Sequence, residues 1–177
     1  MKLSLFGEAK SEQVIDLFRS VFTASEGEAE GQVIADFVSN LITTTESQDL
    51  IGCVAEANEV VGSIFFSRLI VSDRQSAFIL SPVAISTAVQ GRGFGQELIN
   101  FGLDHLRSIN TALVFTYGDP SFYSKVGFEH ISEAVVKAPY PLSQPEGWLV
   151  QSLDGNKIVA IQGHTQCVAA LQDPSLW

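Results

Sequence analysis

Six consecutive residues, Gln90-Gly91-Arg92-Gly93-Phe94-Gly95, separate an apolar strand-like run, Ala77 to Ile85, from an amphipathic helix-like run that ends near Asn110. Glycines in such a turn let the backbone approach an anion with no side chain in the way. The first helical turn beyond them offers unpaired N–H groups and the positive end of the helix dipole. The chemistry these residues suit is phosphate binding, and above all pyrophosphate. A P-loop would need Lys and then Ser or Thr after its last glycine, whereas Gly95 is followed by Gln96-Glu97. A dinucleotide fingerprint is met at Gly91 and Gly93 but has Gln96 at its third position. Asp119 could stand as its ribose-binding acid, but that motif follows the first strand of its domain. Here a hairpin and two helical runs come first.

The elements that must position this turn are those of a mixed α/β chain. Lys2 to Phe6 reads as a strand. Ser11 to Phe22 reads as a helix through Val14, Leu17, Phe18 and Val21, with Ser11 as its cap. Thr23 to Gly31, polar and carrying Glu26, Glu28 and Glu30, reads as a loop. The helical period resumes over Val33 to Ile42 through Val33, Phe37 and Leu41. Leu50 to Ala57 and Val60 to Leu69 read as a hairpin around Asn58-Glu59. Phe94, Leu98, Phe101, His105 and Leu106 mark the buried face of the helix after the glycine turn, which makes His105 a core histidine. Thr111 to Thr116 is a further strand, and Ser121 to Lys125 a single helical turn with Asp119 as a candidate cap. Phe128 onward reads as extended again. Trp148 to Leu153 and Lys157 to Ile161 read as a last hairpin around Asp154-Gly155, and the segment after Gly163 is unassigned. The pattern is antiparallel at the start with a parallel βαβ step in the middle.

The chain has 177 residues, 46% apolar and 17% charged, which suits a single domain over 1–177. Ten basic residues against twenty acidic give a net charge of −10. That argues against nonspecific nucleic-acid binding, which needs a basic face, and mildly favours cationic partners. Cys53 and Cys167 have neither metal-ligand spacing nor a disulfide framework, and Cys53 reads as a buried thiol. His130 and His164 have no partner spacing that suggests a metal. No segment approaches the ~20 apolar residues of a membrane span, and Glu8 and Lys10 interrupt the first apolar patch too early for a signal peptide. A cytoplasmic protein with no metal and no membrane partner is expected, with a homodimer left open.

The turn Gln90 to Gly95 fits the Q/R-x-x-G-x-G/A signature of the GNAT family of N-acetyltransferases, and the chain resembles that family well over residues 50 to 130. Val83-Ala84-Ile85 stands where the family has its cofactor-binding strand. Tyr123-Ser124-Lys125-Val126-Gly127-Phe128 is similar to the family's Y-x-x-x-G-F segment, at the usual distance from the first signature. Gly118-Asp119-Pro120-Ser121-Phe122-Tyr123 further resembles a bacterial subgroup of predicted small N-acetyltransferases. The resemblance implies a mixed α/β fold whose central sheet splays at the cofactor-binding strand and is flanked by helices. It implies acetyl-CoA as cosubstrate, and direct transfer of acetyl to a primary amine of a small molecule or peptide in a ternary complex.

Residue by residue, it implies that Gln90, Gly91, Arg92, Gly93, Phe94, Gly95 and Gln96 surround the CoA pyrophosphate. Arg92 either adds a contact to phosphate or is a solvated surface arginine. Val83, Ala84 and Ile85 would pair with the pantetheine arm, and one strand N–H would polarise the thioester carbonyl. Tyr123 is the candidate catalytic residue, a phenol able to donate a proton to the departing thiolate as a general acid; otherwise it packs under the short helix and steers the cofactor sulfur. The subgroup often has a second tyrosine beside it, and here that position is Phe122. Glu26, Glu28 and Glu30 border the acceptor site by analogy, but no base is identified. Thr87 and Ala88 replace a proline and an acidic residue common before the signature, which removes one acceptor-side carboxylate. A noncatalytic acyl-CoA sensor is the alternative class.

Overall fold

Apolar runs near Leu50, Val60 and Ala77 become neighbouring strands of an eight-stranded sheet in the computed structural model, which describes residues 1–177. The strands are β1 (Lys2–Leu5), β2 (Leu50–Glu56), β3 (Val60–Ile70), β4 (Ser76–Ile85), β5 (Leu113–Tyr117), β6 (Glu129–His130), β7 (Trp148–Ser152) and β8 (Gln166–Cys167). The helices are α1 (Ser11–Glu26), α2 (Glu28–Thr44), α3 (Phe94–Ser108) and α4 (Pro120–Tyr123). The sheet order is β1-β2-β3-β4-β5-β7-β6, with β8 on β3. β4 and β5 are parallel, and α3 is the crossover such a pair requires. β1 on β2, and β5 and β6 on β7, are antiparallel. No helix is long and apolar enough to cross a membrane.

The chain groups into two compact units, Met1–Phe65 with Pro82–Gly102 and Phe66–Ser81 with Leu103–Trp177. In the first, α1 buries Val14, Leu17 and Phe18. Phe18 packs on Phe65 at 6.3 Å between ring centroids, and Phe65 meets the edge of Phe6 at 5.2 Å. Ser11 is the first helical residue rather than the cap, its hydroxyl donating to Glu8 O. The expected loop over Thr23 to Gly31 is nearly all helix. α1 runs on to Glu26, Gly27 alone breaks it at φ +102°, and α2 starts at Glu28. Glutamate is a good helix former, and Glu28 and Glu30 sit where the dipole of α2 favours negative charge. Gly31 is a contact point and not a turn. A Cβ there would stand 1.9 Å from Thr23 Oγ1 and 2.8 Å from Arg19 O. The buried face of α2 is Gly31, Ala35, Val38 and Leu41, while Val33 is 56% exposed. The face expected through Val33 and Phe37 is therefore rotated, because α2 turns its small residues toward α1.

α3 buries Leu98, Ile99, Leu103 and Leu106, while Phe94, Phe101 and His105 are only half-buried. His105 is not the core histidine expected. Gly62 of β3 gives the start of α3 its seat, since a Cβ there would lie 2.8 Å from Ile85 Cδ1 and 3.3 Å from Leu98 Cδ2.

In the second unit, Trp148 stacks on Phe115 at 5.0 Å and donates Nε1–H to Val136 O at 2.9 Å. Past β6 the chain is irregular up to a short turn at Pro145–Gly147. The expected last hairpin is absent. β7 pairs with β5 on one side and β6 on the other, so residues 157–161 find no free edge there. Asp154 instead closes a local turn by accepting from Asn156 N and Ser152 Oγ. The segment after Gly163 adds β8 to the end of β3, Leu69 opposite Cys167. It then buries Trp177, whose Nε1–H donates to Leu171 O at 3.0 Å and whose ring stacks 6.2 Å from Tyr117.

Candidate functional site

The glycine turn joins β4 to α3, and both ends are fixed by hydrogen bonds. Ser86 N–H donates to Val61 O, Val89 N–H to Ser86 O, and the Gln90 side-chain amide to Ile85 O at 2.8 Å. The Gln90 side chain is thus spent on holding the turn to the end of its strand. Gly91 and Gly93 have φ of +75° and +84°, the left-handed region where glycine is at ease. A Cβ at either would meet nothing within 4 Å, so backbone conformation and not packing calls for glycine there. Gly95 already lies inside α3.

The first helical bond of α3 runs from Glu97 N–H to Gly93 O at 3.0 Å. The N–H groups of Gly93, Phe94, Gly95 and Gln96 therefore donate to no protein acceptor, the usual state of a helix N-terminus. Arg92 is exposed beside them. Four free donors and a dipole make an anion cradle. No protein side chain stands within 4 Å of where a Cβ of Gly91 or Gly93 would lie.

β4 has a break in its pairing. The parallel ladder runs from Ala77 opposite Leu113 to Leu80 opposite Thr116 and stops, although β4 continues to Ile85. Pro82 stands just beyond the last pair, and proline has no N–H to give a neighbouring strand. Val83, Ala84 and Ile85 follow, with Ala84 buried and its two neighbours half-buried. They share the first unit with residues 90–96.

Tyr123 belongs to the second unit and ends α4. Asp119 caps that helix, accepting from Ser121 N at 2.8 Å and Ser121 Oγ at 2.7 Å, and Pro120 follows at the helix start. These bonds hold the exposed Asp119 carboxyl below its ordinary range, the Ser121 hydroxyl first. Tyr123 meets the ring edges of Phe122 at 5.0 Å and Phe128 at 5.8 Å. Its other side lies on Gly118, where a Cβ would come within 2.8 Å of Cε2. Burial raises the phenol above its ordinary value; a side-chain hydrogen bond with Thr116 works against this, and the charge of Asp119 adds to it. Thr116 is fully buried and donates its own hydroxyl to Leu80 O at 2.9 Å. Sequence reasoning did not single out Thr116 or assign Gly118 a role. A glycine directly after a strand and five residues before the tyrosine was the available signal for the second.

Other candidates take simpler places. Cys53 is fully buried, and burial pushes its thiol up to about 12; Cys167 is raised for the same reason. The thiolate is the nucleophilic form, so neither is poised to carry an acyl group. Glu26 ends α1, and Glu28 and Glu30 lie exposed in the first turn of α2.

Comparison with known proteins gives the family and the fold. Residues 11–128 match the model of the "Acetyltransferase (GNAT) family". The chain is 31% identical over 140 residues to the uncharacterized N-acetyltransferase YjhQ of Escherichia coli K12, covering 75% of this chain and 77% of the relative. It is 29% identical over 119 residues to the uncharacterized N-acetyltransferase YhbS of the same strain, 66% of this chain and 68% of that one. The crystal structure of Escherichia coli YhbS in complex with CoA superposes with a TM-score of 0.80 at 24% identity, over 97% of this chain and 92% of that one. A GNAT family acetyltransferase of Brucella melitensis in complex with acetyl-CoA gives a TM-score of 0.69 at 18% identity, over 97% and 99%. The two structural likenesses establish the fold.

Proposed function

The chain belongs to the acetyltransferase (GNAT) family, and from that premise we propose that it moves the acetyl group of acetyl-CoA to a primary amine by direct transfer in a ternary complex. The observation that carries this reading is the row of four unpartnered N–H groups, Gly93 to Gln96, behind two glycines of positive φ. These amides hold the pyrophosphate, and Arg92 adds charge. The open backbone of Val83 to Ile85 takes the pantetheine arm beyond the point where β5 leaves β4.

Acetyl-CoA supplies an activated acyl group and a thiolate leaving group. Tyr123 keeps its proton at physiological pH, because burial raises a phenol that already titrates near 10. A CoA thiol resembles a free cysteine near 8.5. A phenol raised above its ordinary value is a weaker acid than a CoA thiol, so full transfer from Tyr123 to the thiolate is uphill. Tyr123 accordingly works as a hydrogen-bond donor to the sulfur as charge grows there. The neutral amine attacks the carbonyl carbon, the C–S bond breaks, CoA leaves as thiolate, and the surplus proton of the nitrogen passes to solvent water. Direct transfer is supported by the state of the cysteines, both held as neutral buried thiols. We take residues 1–177 as one catalytic domain.

The test is CoA release over a panel of polyamines, amino acids, aminoglycosides and peptide N-termini, first with the native chain and then with Tyr123→Phe. The variant keeps the ring and loses only the hydroxyl. Removing a hydrogen-bond donor aimed at developing charge lowers turnover about 10²–10³-fold, and acetyl-CoA affinity should stay unchanged. Wild-type turnover in Tyr123→Phe, with chemistry rate-limiting, would reduce Tyr123 to a packing residue. No CoA release with any amine, despite tight acetyl-CoA binding, would replace the enzyme by a sensor.

A further inference from the structure

The Tyr123 ring lies where any residue but glycine at position 118 would place its side chain. We propose that Gly118 is a positioning residue for the Tyr123 hydroxyl: its missing side chain sets where the ring sits. The inference rests on the role given to Tyr123 above and deepens it.

A Cβ on Gly118 would stand 2.8 Å from Cε2 of Tyr123, 3.5 Å from Cδ2 and 3.7 Å from Cζ. The near approach is thus along the ring edge that carries the hydroxyl. Gly118 does not have a positive φ, so an alanine could adopt its backbone conformation. Its N–H donates to Gly147 O at 3.0 Å, a bond any L-residue but proline can keep. Room for the ring is therefore what position 118 has to provide. The ring cannot simply retreat, because the edges of Phe122 and Phe128 meet it and Phe128 is only 2% exposed.

Phe122 at the neighbouring position means no second phenol can take over if Tyr123 is displaced.

The experiment places Gly118→Ala in the full chain with Tyr123, with Tyr123→Phe and with Tyr123→Leu. Turnover and KM are measured with an amine acceptor from the panel. Tyrosine Cζ chemical shifts are followed by NMR against pH. A misplacement approaching 1 Å costs up to about 10²-fold, so Gly118→Ala should lower kcat about 10–100-fold with KM for acetyl-CoA unchanged. In the Tyr123→Phe background the same change should cost nothing further. Tyr123→Leu has no Cε2 for the added Cβ to meet, so in that background Gly118→Ala should not lower Tm further.

An equal fall of kcat in the Tyr123 and Tyr123→Phe backgrounds, or wild-type kcat in a folded Gly118→Ala, would overturn the role of Gly118. If Gly118→Ala does not fold, its pairing with Tyr123→Leu carries the test: a double variant as unstable as Gly118→Ala alone would overturn the ring seat. Wild-type turnover in Tyr123→Phe would defeat the chemical reading of Tyr123. In that case a Tyr123 resonance displaced by Gly118→Ala would still support the ring seat, so the two failures are distinguishable.

Discussion

Gly93→Val separates what the turn does for the fold from what it does for the cofactor. Gly93 sits at φ +84°, and a Cβ there would touch nothing within 4 Å. The folded protein thus meets no clash, only backbone strain. Holding an L-residue in the left-handed region costs about 1–2 kcal/mol. In a chain of this size each kcal/mol lowers Tm by about 2–4 °C, so the free variant should melt about 2–8 °C lower. Its effect on acetyl-CoA should be much larger. Gly93 begins the row of four free N–H groups, and its backbone accepts the first helical bond of α3. A side chain there stands in the phosphate approach and turns the first amides away. Losing two charge-assisted hydrogen bonds, about 1.5–3 kcal/mol each, raises Kd about 10²–10⁴-fold.

At a ligand concentration of 100 Kd the wild type gains about 2.7 kcal/mol from binding, a rise of about 5–11 °C. At that same concentration the variant should gain less than about 2 °C. Differential scanning fluorimetry with acetyl-CoA, NAD and ATP measures this directly, and only acetyl-CoA should shift the wild type. A folded Gly93→Val protein with an undiminished acetyl-CoA shift would refute the placement of the pyrophosphate. A shift with NAD and none with acetyl-CoA would refute the ligand.

Three further outcomes are expected. Gly31→Ala gains about 1 kcal/mol of helix propensity, but its Cβ meets Thr23 Oγ1 and Arg19 O at 1.9 and 2.8 Å. The overpacking cost of about 1–3 kcal/mol prevails, and a urea titration should show a lower midpoint; a higher one would mean that α1 and α2 separate freely. Trp177→Ala removes a ring that is 5% exposed and packs on Tyr117, Tyr140 and Trp148. That should cost about 3–5 kcal/mol and roughly 6–20 °C of Tm. Alkali should destabilise the fold through Cys53, whose thiol titrates at about 12 when buried against an ordinary 9.0. Because the folded value is the higher one, this contribution is complete below pH 9 and is lost as pH rises from 9 toward 12. At pH 10.5 the loss is about 2 kcal/mol. Tyr123, also raised, adds in the same direction. Urea midpoints at pH 8 and 10.5 should diverge less in Cys53→Ala than in the wild type, and equal divergence would exclude Cys53 as the source.

The geometry of the glycine turn was legible because everything it needs is contiguous. Strand, glycines and helix start follow each other in sequence, and the free amides of Gly93 to Gln96 are a consequence of helix geometry alone. The cap at Asp119, the hairpin around Asn58-Glu59 and the parallel step through α3 were local in the same sense. Gly27 to Gly31 misled because two glycines and three glutamates look like a loop when read without the neighbouring helix. Only the approach of Arg19 and Thr23 shows that Gly31 is there to let α2 come close. The phase of α2 followed from that contact, since a helix sequence with apolar residues on several sides leaves the choice of face to its partner.

Residues 157–161 have a strand composition but no edge to join, while Gln166 and Cys167 find one on β3, nearly a hundred residues earlier in the chain. Strand pairing is a long-range event, and no local pattern states which edges remain free. The same holds at the candidate active site. Tyr123 could be named from its motif, yet its ring lies against the missing side chain of Gly118, between Phe122 and Phe128. The sequence by itself determined the anion cradle, because backbone geometry is local. The tertiary structure decided where the phenol stands, because a side chain's position is set by what it packs against.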